Sequence, residues 1–240
     1  MQQNTLTEYL DVPARGRANS DVTTLAGSIC IPDSKLTSRP GLTCSRYFVF
    51  KPWLDRILVL LLALPAVLLI AFVALLVLLT SGRPVFYCQT REGRRRRLFT
   101  IWKIRTMCVN AEKSSGPVWC GRKDPRVTWI GHFLRVTHVD ELPQLWNVLV
   151  GDMSLIGPRP ERPEIVCDLA RTIPNYLARR AVLPGITGWA QIHQDSDIDL
   201  SNVRNKHDFD MEYIRRASLL MDLQILIETL PRLLGMPPRA

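Results

Sequence analysis

The sequence predicts an α/β protein, mostly helical with a small sheet, held to a membrane by one element. Three observations carry this reading. A single run, Ile57 to Leu79, holds no charged or polar side chain. Beyond Gly82, short apolar runs alternate with glycine, proline and charge, the pattern of short strands and helices in a folded domain. Near the end, Leu219, Leu220, Leu223, Leu226, Ile227, Leu230, Leu233 and Leu234 recur at the spacing of one helical face.

The apolar run divides the chain. Its 23 residues reach about 35 Å as a helix, enough for a hydrocarbon core of roughly 30 Å. Residues 1–46 are rich in Thr, Ser, Arg and Asp, contain Pro13, Pro32 and Pro40, and keep no helical or strand period. They are expected to form a polar, flexible extension. Residues 47–82 are the membrane anchor and 83–240 the following domain. The run begins too late, and lacks the small-residue cleavage pattern, to be a signal peptide.

Lys51 and Arg56 precede the run, and Arg83, Arg91 and Arg94 to Arg97 follow it. Positive flanks mark the cytoplasmic side of a span, and here both flanks are positive. Pro65 removes a backbone hydrogen bond inside the run. A helix that enters, breaks at Pro65 and returns keeps both flanks cytosolic. An ordinary kinked transmembrane helix is the equal alternative on these grounds. Either way the following domain is cytosolic.

The net charge of +9 calls for an anionic partner: lipid headgroups, phosphate-bearing substrates or nucleic acid. Arg94 to Arg97, just beyond the anchor, favour anionic lipid. Nucleic acid is disfavoured, since no aromatic stacking pattern accompanies the block. The six cysteines form no Cys-x-x-Cys pair and are expected to be reduced thiols, and the four histidines lack metal-ligand spacing.

Val85 to Cys88 is expected to be a short strand, and Phe99 to Arg105 strand or loop. Glu141 to Leu149 reads as a helix with Leu142, Leu145, Trp146 and Leu149 on one face and Pro143 in its first turn. Ser154 to Pro163, with three prolines, reads as an ordered loop. The leucine-rich final segment is a helix that either packs on a core or rests on lipid, with Pro231 bending or ending it.

The candidate chemical centre is Asp140-Glu141. Two adjacent carboxylates at a helix start are ordinarily a cap. Arg135 before the pair and Arg159 after the helix, between two prolines, shift the reading toward phosphate chemistry. Carboxylates serve as nucleophile or Mg²⁺ ligand, and arginine grips phosphoryl oxygens. Lys103 and Arg105 add cations after a candidate strand, and Arg179 precedes a second tight loop, Pro184 to Gln191. Its glycines permit close approach of backbone to a ligand.

Asp140 to Leu149, Gly151-Asp152-Met153-Ser154 and Gly157-Pro158-Arg159-Pro160, with Lys103 to Met107 and Pro184 to Gln191, closely resemble the bacterial sugar transferase family. These are monotopic polyprenyl-phosphate phosphoglycosyl transferases. The resemblance covers about residues 47 to 235. It implies a compact cytosolic catalytic domain with a re-entrant membrane helix and interfacial amphipathic helices, at the bacterial inner membrane.

The resemblance also implies transfer of a phosphosugar from a UDP-sugar to polyprenyl (undecaprenyl) phosphate, releasing UMP. This reaction opens exopolysaccharide, O-antigen or glycoprotein glycan assembly. Asp140 is the implied nucleophile. Asp140 and Glu141 are the implied Mg²⁺ ligands. Lys103, Arg105, Arg135, Arg159 and Arg179 are the implied substrate-binding residues, and Pro65 the helix break. A homodimer is left open.

Three positions depart from the family pattern. Leu64 replaces a common serine before the proline, Pro52 replaces arginine, and Ile192-His193-Gln194-Asp195 replaces an Asn-Gly-bearing stretch. Larger relatives carry further membrane helices before this core, so the chain reads as a minimal catalytic form with an added tail.

Overall fold

The computed structural model describes residues 44–111, 124–194, 200–233 and 236. The polar extension up to residue 43, and Asp195, lie outside the described residues. A 3-10 turn, Arg46–Val49, leads into α1, Lys51–Ser81. Pro52 falls in the first turn of α1, where its missing N–H costs no intrahelical bond. Gly82 ends the helix at φ 68°, a left-handed value that favours glycine.

Helix α1 is long and apolar enough to cross a membrane, and only 11% of its most apolar window is buried. Pro65 lies inside an unbroken helical segment. It withdraws one N–H, the usual partner of the Leu61 carbonyl, while helical turns continue on both sides. Both ends of α1 dock on the same domain. Val59 packs with Phe99, Ile101, Val148 and Met153, and Val73 and Val77 pack with Ile104, Ile130 and Leu134. Between them Leu60, Leu61, Leu64, Val67, Leu68 and Phe72 are exposed.

Strands β1 (Phe86–Glu92) and β2 (Leu98–Ile104) form an antiparallel hairpin, from Phe86 opposite Ile104 to Glu92 opposite Leu98. The arginine block is its turn: Gly93 N–H donates to Arg97 O at 2.8 Å, and Arg97 N–H to Arg94 O at 3.2 Å. The expected strand at Val85 to Cys88 is therefore longer, and Phe99 to Arg105 is strand up to Ile104.

Thr128 caps α2 (Trp129–Thr137) by accepting from Gly131 N–H at 3.1 Å. His138, in the left-handed region, turns the chain into a 3-10 segment, Val139–Gln144, and then α3, Leu145–Val150. The helix expected from Glu141 to Leu149 is thus two pieces, with Pro143 in the 3-10 part. Its fully buried positions are Glu141, Gln144, Asn147 and Val148, while Leu145 and Leu149 of the expected apolar face are only partly buried. The Asn147 amide donates to Thr100 O at 2.8 Å, which turns that side inward and leaves Trp146 61% exposed.

Strand β3 (Ser154–Ile156) pairs in parallel with β4 (Gly185–Thr187). Between them run α4 (Pro163–Thr172) and a 3-10 segment, Tyr176–Ala181. Helices α5 (Trp189–His193), α6 (Leu200–Arg216) and α7 (Leu219–Leu233) complete the chain. Ile156, Ile192, Tyr213, Ala217 and Ile225 form the core beneath α7.

Helix α7 buries Asp222 and Ile225, whereas Leu219, Leu220, Leu223, Ile227 and Leu230 face outward. Pro231 lies inside it and does not end it. Trp129, Phe133 and Val136 on α2 are exposed in the same way. These are amphipathic helices whose apolar faces the domain leaves uncovered. Cys44, Cys88 and Cys108 are free thiols. Cys167 is disulfide-bonded, which corrects the expectation of six reduced thiols.

Candidate active site

The Asp140-Glu141 pair occupies the first turn of the 3-10 segment and is almost fully buried, at 7% and 6% exposure. A buried carboxylate needs a counter-charge or a proton. The two acids solve this differently. Glu141 is clamped. Lys103 Nζ donates to its Oε1 at 2.7 Å, and Arg159 donates to both oxygens, at 2.5 and 3.2 Å. Asp140 receives no hydrogen bond on its carboxylate from any described residue.

Burial alone would raise the Glu141 pKa, but Arg159 and Lys103 outweigh it and hold the group ionised well below the usual carboxylate range. Burial, and then the Glu141 charge, push Asp140 up to about 6, against the opposing pull of Lys103, Arg135 and Arg159. One carboxylate is therefore fixed and charged. Its neighbour is unclamped and poised near neutrality.

Each cation has a distinct origin. Lys103 follows the alternation of β2, sharing a face with Phe99 and Ile101, so it points inward to Glu141. Arg159 sits on the loop after β3, and that loop is braced against β4 by three glycines. A Cβ on Gly185 would lie 2.0 Å from Gly157 N, and one on Gly188 would lie 2.3 Å from Gly157 O. Gly157 N–H donates to Thr187 O, and Gly185 N–H to Pro158 O, both at 2.9 Å. These glycines allow backbone to meet backbone.

Arg135 extends from α2, and its Nε donates to Thr106 Oγ1 at 2.9 Å. Arg105 and Arg179 lie elsewhere. Arg105 donates to the carbonyls of Ser81, Gly82 and Arg83, closing the C-terminal end of α1. Arg179 pairs with Asp210 at 2.8 Å and donates to Tyr176 Oη and to Arg159 O. It fixes the backbone of Arg159 from behind. The structure thus brings Lys103, Arg135 and Arg159 to the carboxylate pair, and gives Arg105 and Arg179 supporting contacts.

Among the described residues no group of three or more His, Cys, Asp or Glu side chains is gathered for a metal. The pair nonetheless fits Mg²⁺. Among the described residues Glu141 Oε2 has one donor, at 3.2 Å, and the Asp140 oxygens have none. Mg²⁺ is commonly held by one or two carboxylates, substrate phosphates and water.

A buried network missed by the sequence reading joins the anchor to β3, α6 and α7. Lys51 Nζ donates to Asp55 at 3.1 Å and to Asp222 at 2.5 Å, and Ser154 Oγ donates to Asp55 at 2.6 Å. Tyr47 and Tyr213 donate to Asp222 at 2.9 and 2.7 Å. Lys51, counted above as a membrane flank, is 2% exposed. The available signal was an acid set against an apolar run: Asp55 before Ile57, and Asp222 among leucines.

The His193 ring packs between Trp189 and Phe209, at centroid distances of 4.2 and 4.9 Å. Its Nδ1 lies 2.9 Å from Trp189 O.

The family model for bacterial sugar transferases matches residues 46–236. The chain belongs to this family. It is 44% identical over 161 residues to a UDP-N-acetylgalactosamine-undecaprenyl-phosphate N-acetylgalactosaminephosphotransferase of Aeromonas hydrophila, covering 67% of this chain and 38% of that one. It is 41% identical over 169 residues to an undecaprenyl-phosphate glucose phosphotransferase of Komagataeibacter xylinus, covering 68% and 32%. Over 205 residues it is 39% identical to a UDP-glucose:undecaprenyl-phosphate glucose-1-phosphate transferase of Caulobacter vibrioides, covering 83% and 76%. The chain spans under half the length of the first two relatives and about three quarters of the third. All the residues gathered at the carboxylate pair fall within the matched family segment.

Proposed function

We propose that this bacterial sugar transferase moves a phosphosugar from a UDP-sugar to polyprenyl phosphate through a covalent intermediate on Asp140. The observation that carries the proposal is the asymmetry of the pair. Glu141 is held by two cations, whereas Asp140, at an elevated pKa, takes no hydrogen bond from the described residues.

In the first step an Asp140 carboxylate oxygen attacks the β-phosphorus of the UDP-sugar. The bond from that phosphorus to the bridging oxygen breaks, and UMP leaves with the electron pair. The phosphosugar remains on Asp140 as an acyl phosphate. In the second step a phosphate oxygen of polyprenyl phosphate attacks the same phosphorus, and Asp140 is released as carboxylate. Lys103, Arg135 and Arg159 supply fixed positive charge where phosphoryl oxygens gather. Glu141 holds Arg159 and Lys103 in place and, with Asp140, would hold Mg²⁺. When bound, that ion would offset charge on the diphosphate.

The anchor is re-entrant in this reading, and the domain rests on the cytosolic face of the bacterial inner membrane. The docking of both α1 ends supports this. A straight helix of 31 residues is about 46 Å long, yet Asp55 near its start bonds Ser154 and Ser81 at its end bonds Arg105. A crossing helix would separate these polar contacts by the hydrocarbon core. The exposed apolar faces of α2, α3 and α7 rest on lipid in the same arrangement.

The test is incubation with a panel that includes UDP-glucose and UDP-N-acetylgalactosamine, using the parent and Asp140→Asn. The expected results are UMP release with the correct sugar and a covalent mass gain on Asp140. An Asp140→Asn variant as active as the parent overturns the assignment.

A further inference from the structure

The β1–β2 turn is charged beyond anything the transfer reaction uses. A cavity of about 230 Å³ opens beside it, lined by Arg94, Arg95, Arg97, Phe99, Gly151 and Asp152 among others. Arg56 adjoins it from the anchor. Its Nε donates to Leu149 O at 3.2 Å, and its guanidinium lies 2.5 Å from where a Gly151 Cβ would be. Three guanidiniums thus line the cavity and Arg56 stands beside its Gly151 wall, against one lining carboxylate, Asp152, which faces the largely exposed Arg97 at 3.6 Å.

Its position relative to the bilayer follows from the anchor. Arg56 is the last charge before the uncharged run, so it marks the boundary between water and hydrocarbon. Trp53, over whose ring Arg56 lies at 5.4 Å, is exposed, and so are Trp146 and Val150 near Gly151. Exposed tryptophans beside arginines are the composition of the headgroup layer. The site is separate from the carboxylate pair. Phe99 lies four residues before Lys103 on β2, roughly 13 Å along the strand.

The turn also carries strain. Arg95 and Arg96 have φ of 54° and 64°, a conformation that costs a side-chain-bearing residue energy and that glycine adopts freely. Retaining arginine in such a turn points to a role for its charge.

We infer that Arg56, Arg95 and Arg97 bind the phosphodiester of an anionic phospholipid at the cavity between the β1–β2 turn and α3. The occupant is a lipid, not soluble phosphate, because the cavity adjoins the anchor's polar boundary and the exposed Trp53, Trp146 and Val150. Guanidinium forks match the oxygens of a phosphodiester, and proximity to the anchor keeps the headgroup at high local concentration. The inference requires α1 to lie in the membrane, but not the proposed transfer reaction.

The test uses the full chain in nanodiscs of phosphatidylcholine with a minority of spin-labelled phosphatidylglycerol or spin-labelled phosphatidylcholine. The measurement is the fraction of each label that is motionally restricted. The parent should retain phosphatidylglycerol over phosphatidylcholine, and Arg95→Gln/Arg97→Gln should weaken that preference by about fivefold per arginine removed. The control Arg171→Gln/Arg204→Gln, on exposed arginines away from the turn, should leave it intact. Arg95→Gly should weaken the preference about fivefold without lowering the unfolding temperature, which separates binding from folding. No preference in the parent, or equal loss in the control, overturns the site. Displacement of the label by millimolar inorganic phosphate at constant ionic strength overturns the lipid as its ligand.

Discussion

Arg159 grips both carboxylate oxygens of Glu141, at 2.5 and 3.2 Å, and its own carbonyl accepts from Arg179 at 2.9 Å. The guanidinium is therefore fixed at both its tip and its backbone. Lysine in its place would keep the charge but lose the fork. Arg159→Lys should lower the rate of UMP release by about 10²-fold, the scale of removing one fixed donor from a developing anion. Stopped-flow or discontinuous UMP assays would measure it, and parent-like turnover would remove Arg159 from the site.

The elevated pKa of Asp140 sets a pH dependence. Its protonated form cannot attack phosphorus, so the first half-reaction should rise with pH through the region of about 6 and level off above it. Lys103 lowers that pKa, so Lys103→Met should move the rise to higher pH. Single-turnover UMP release against pH, with and without the substitution, would show the displacement. A shift to lower pH would contradict the arrangement.

The same pKa makes Asp140 a liability for folding. A carboxyl whose folded pKa lies above its unfolded value loses stability as pH rises through the folded value. Asp140→Asn should therefore be inactive yet more stable than the parent, by about 1–3 kcal/mol at pH 8. The gain should shrink as pH falls from about 6 and vanish below the ordinary aspartate range, where the acid is protonated in both states. Glu141 works in the opposite sense. Its depressed pKa contributes stability above the ordinary glutamate range, and that contribution is lost as pH falls. Thermal unfolding of both proteins across pH would separate the two.

Lys51 is buried between Asp55 and Asp222, tying α1 to α7. Removing the cation leaves two buried carboxylates facing one another. Lys51→Met should destabilise the protein by about 3–5 kcal/mol, the cost of breaking a buried ion pair from one side. Denaturation in detergent would measure this. The triple variant Lys51→Met/Asp55→Asn/Asp222→Asn should recover part of the loss, because no unpaired charge remains.

The sequence made the carboxylate pair and its cations legible because they are short, ordered and chemically unusual. It misled where one residue type serves two ends. Arg105 and Arg179 have the charge of a phosphate site, but the open carbonyls at the end of α1 and the buried Asp210 claim them. The leucines of α7 mark a helical face whatever covers it, so periodicity was silent on its outward direction. Asp222 settles that direction, since its partners Tyr47, Lys51 and Tyr213 come from segments distant in the chain or from another helix. Gly185 and Gly188 were recognisable as close-approach residues, but not as approaching Gly157.

The chain carries its own reporters of topology. Cys44 precedes α1, and Cys88 and Cys108 follow it, and all three are free and exposed. In spheroplasts expressing variants with a single retained cysteine, a membrane-impermeant maleimide reaches only thiols outside the inner membrane. If α1 enters and returns, all three positions should resist labelling until the membrane is permeabilised. A crossing helix would place Cys44 on one side and Cys88 and Cys108 on the other, so labelling of Cys44 alone in intact spheroplasts would exclude the re-entrant arrangement. Pro65→Leu restores the N–H missing from the middle of α1. If the missing bond enables the turn back, this variant should shift Cys44 toward labelling, and unchanged protection would assign the topology to the docking of Lys51, Asp55 and Ser81 on the domain.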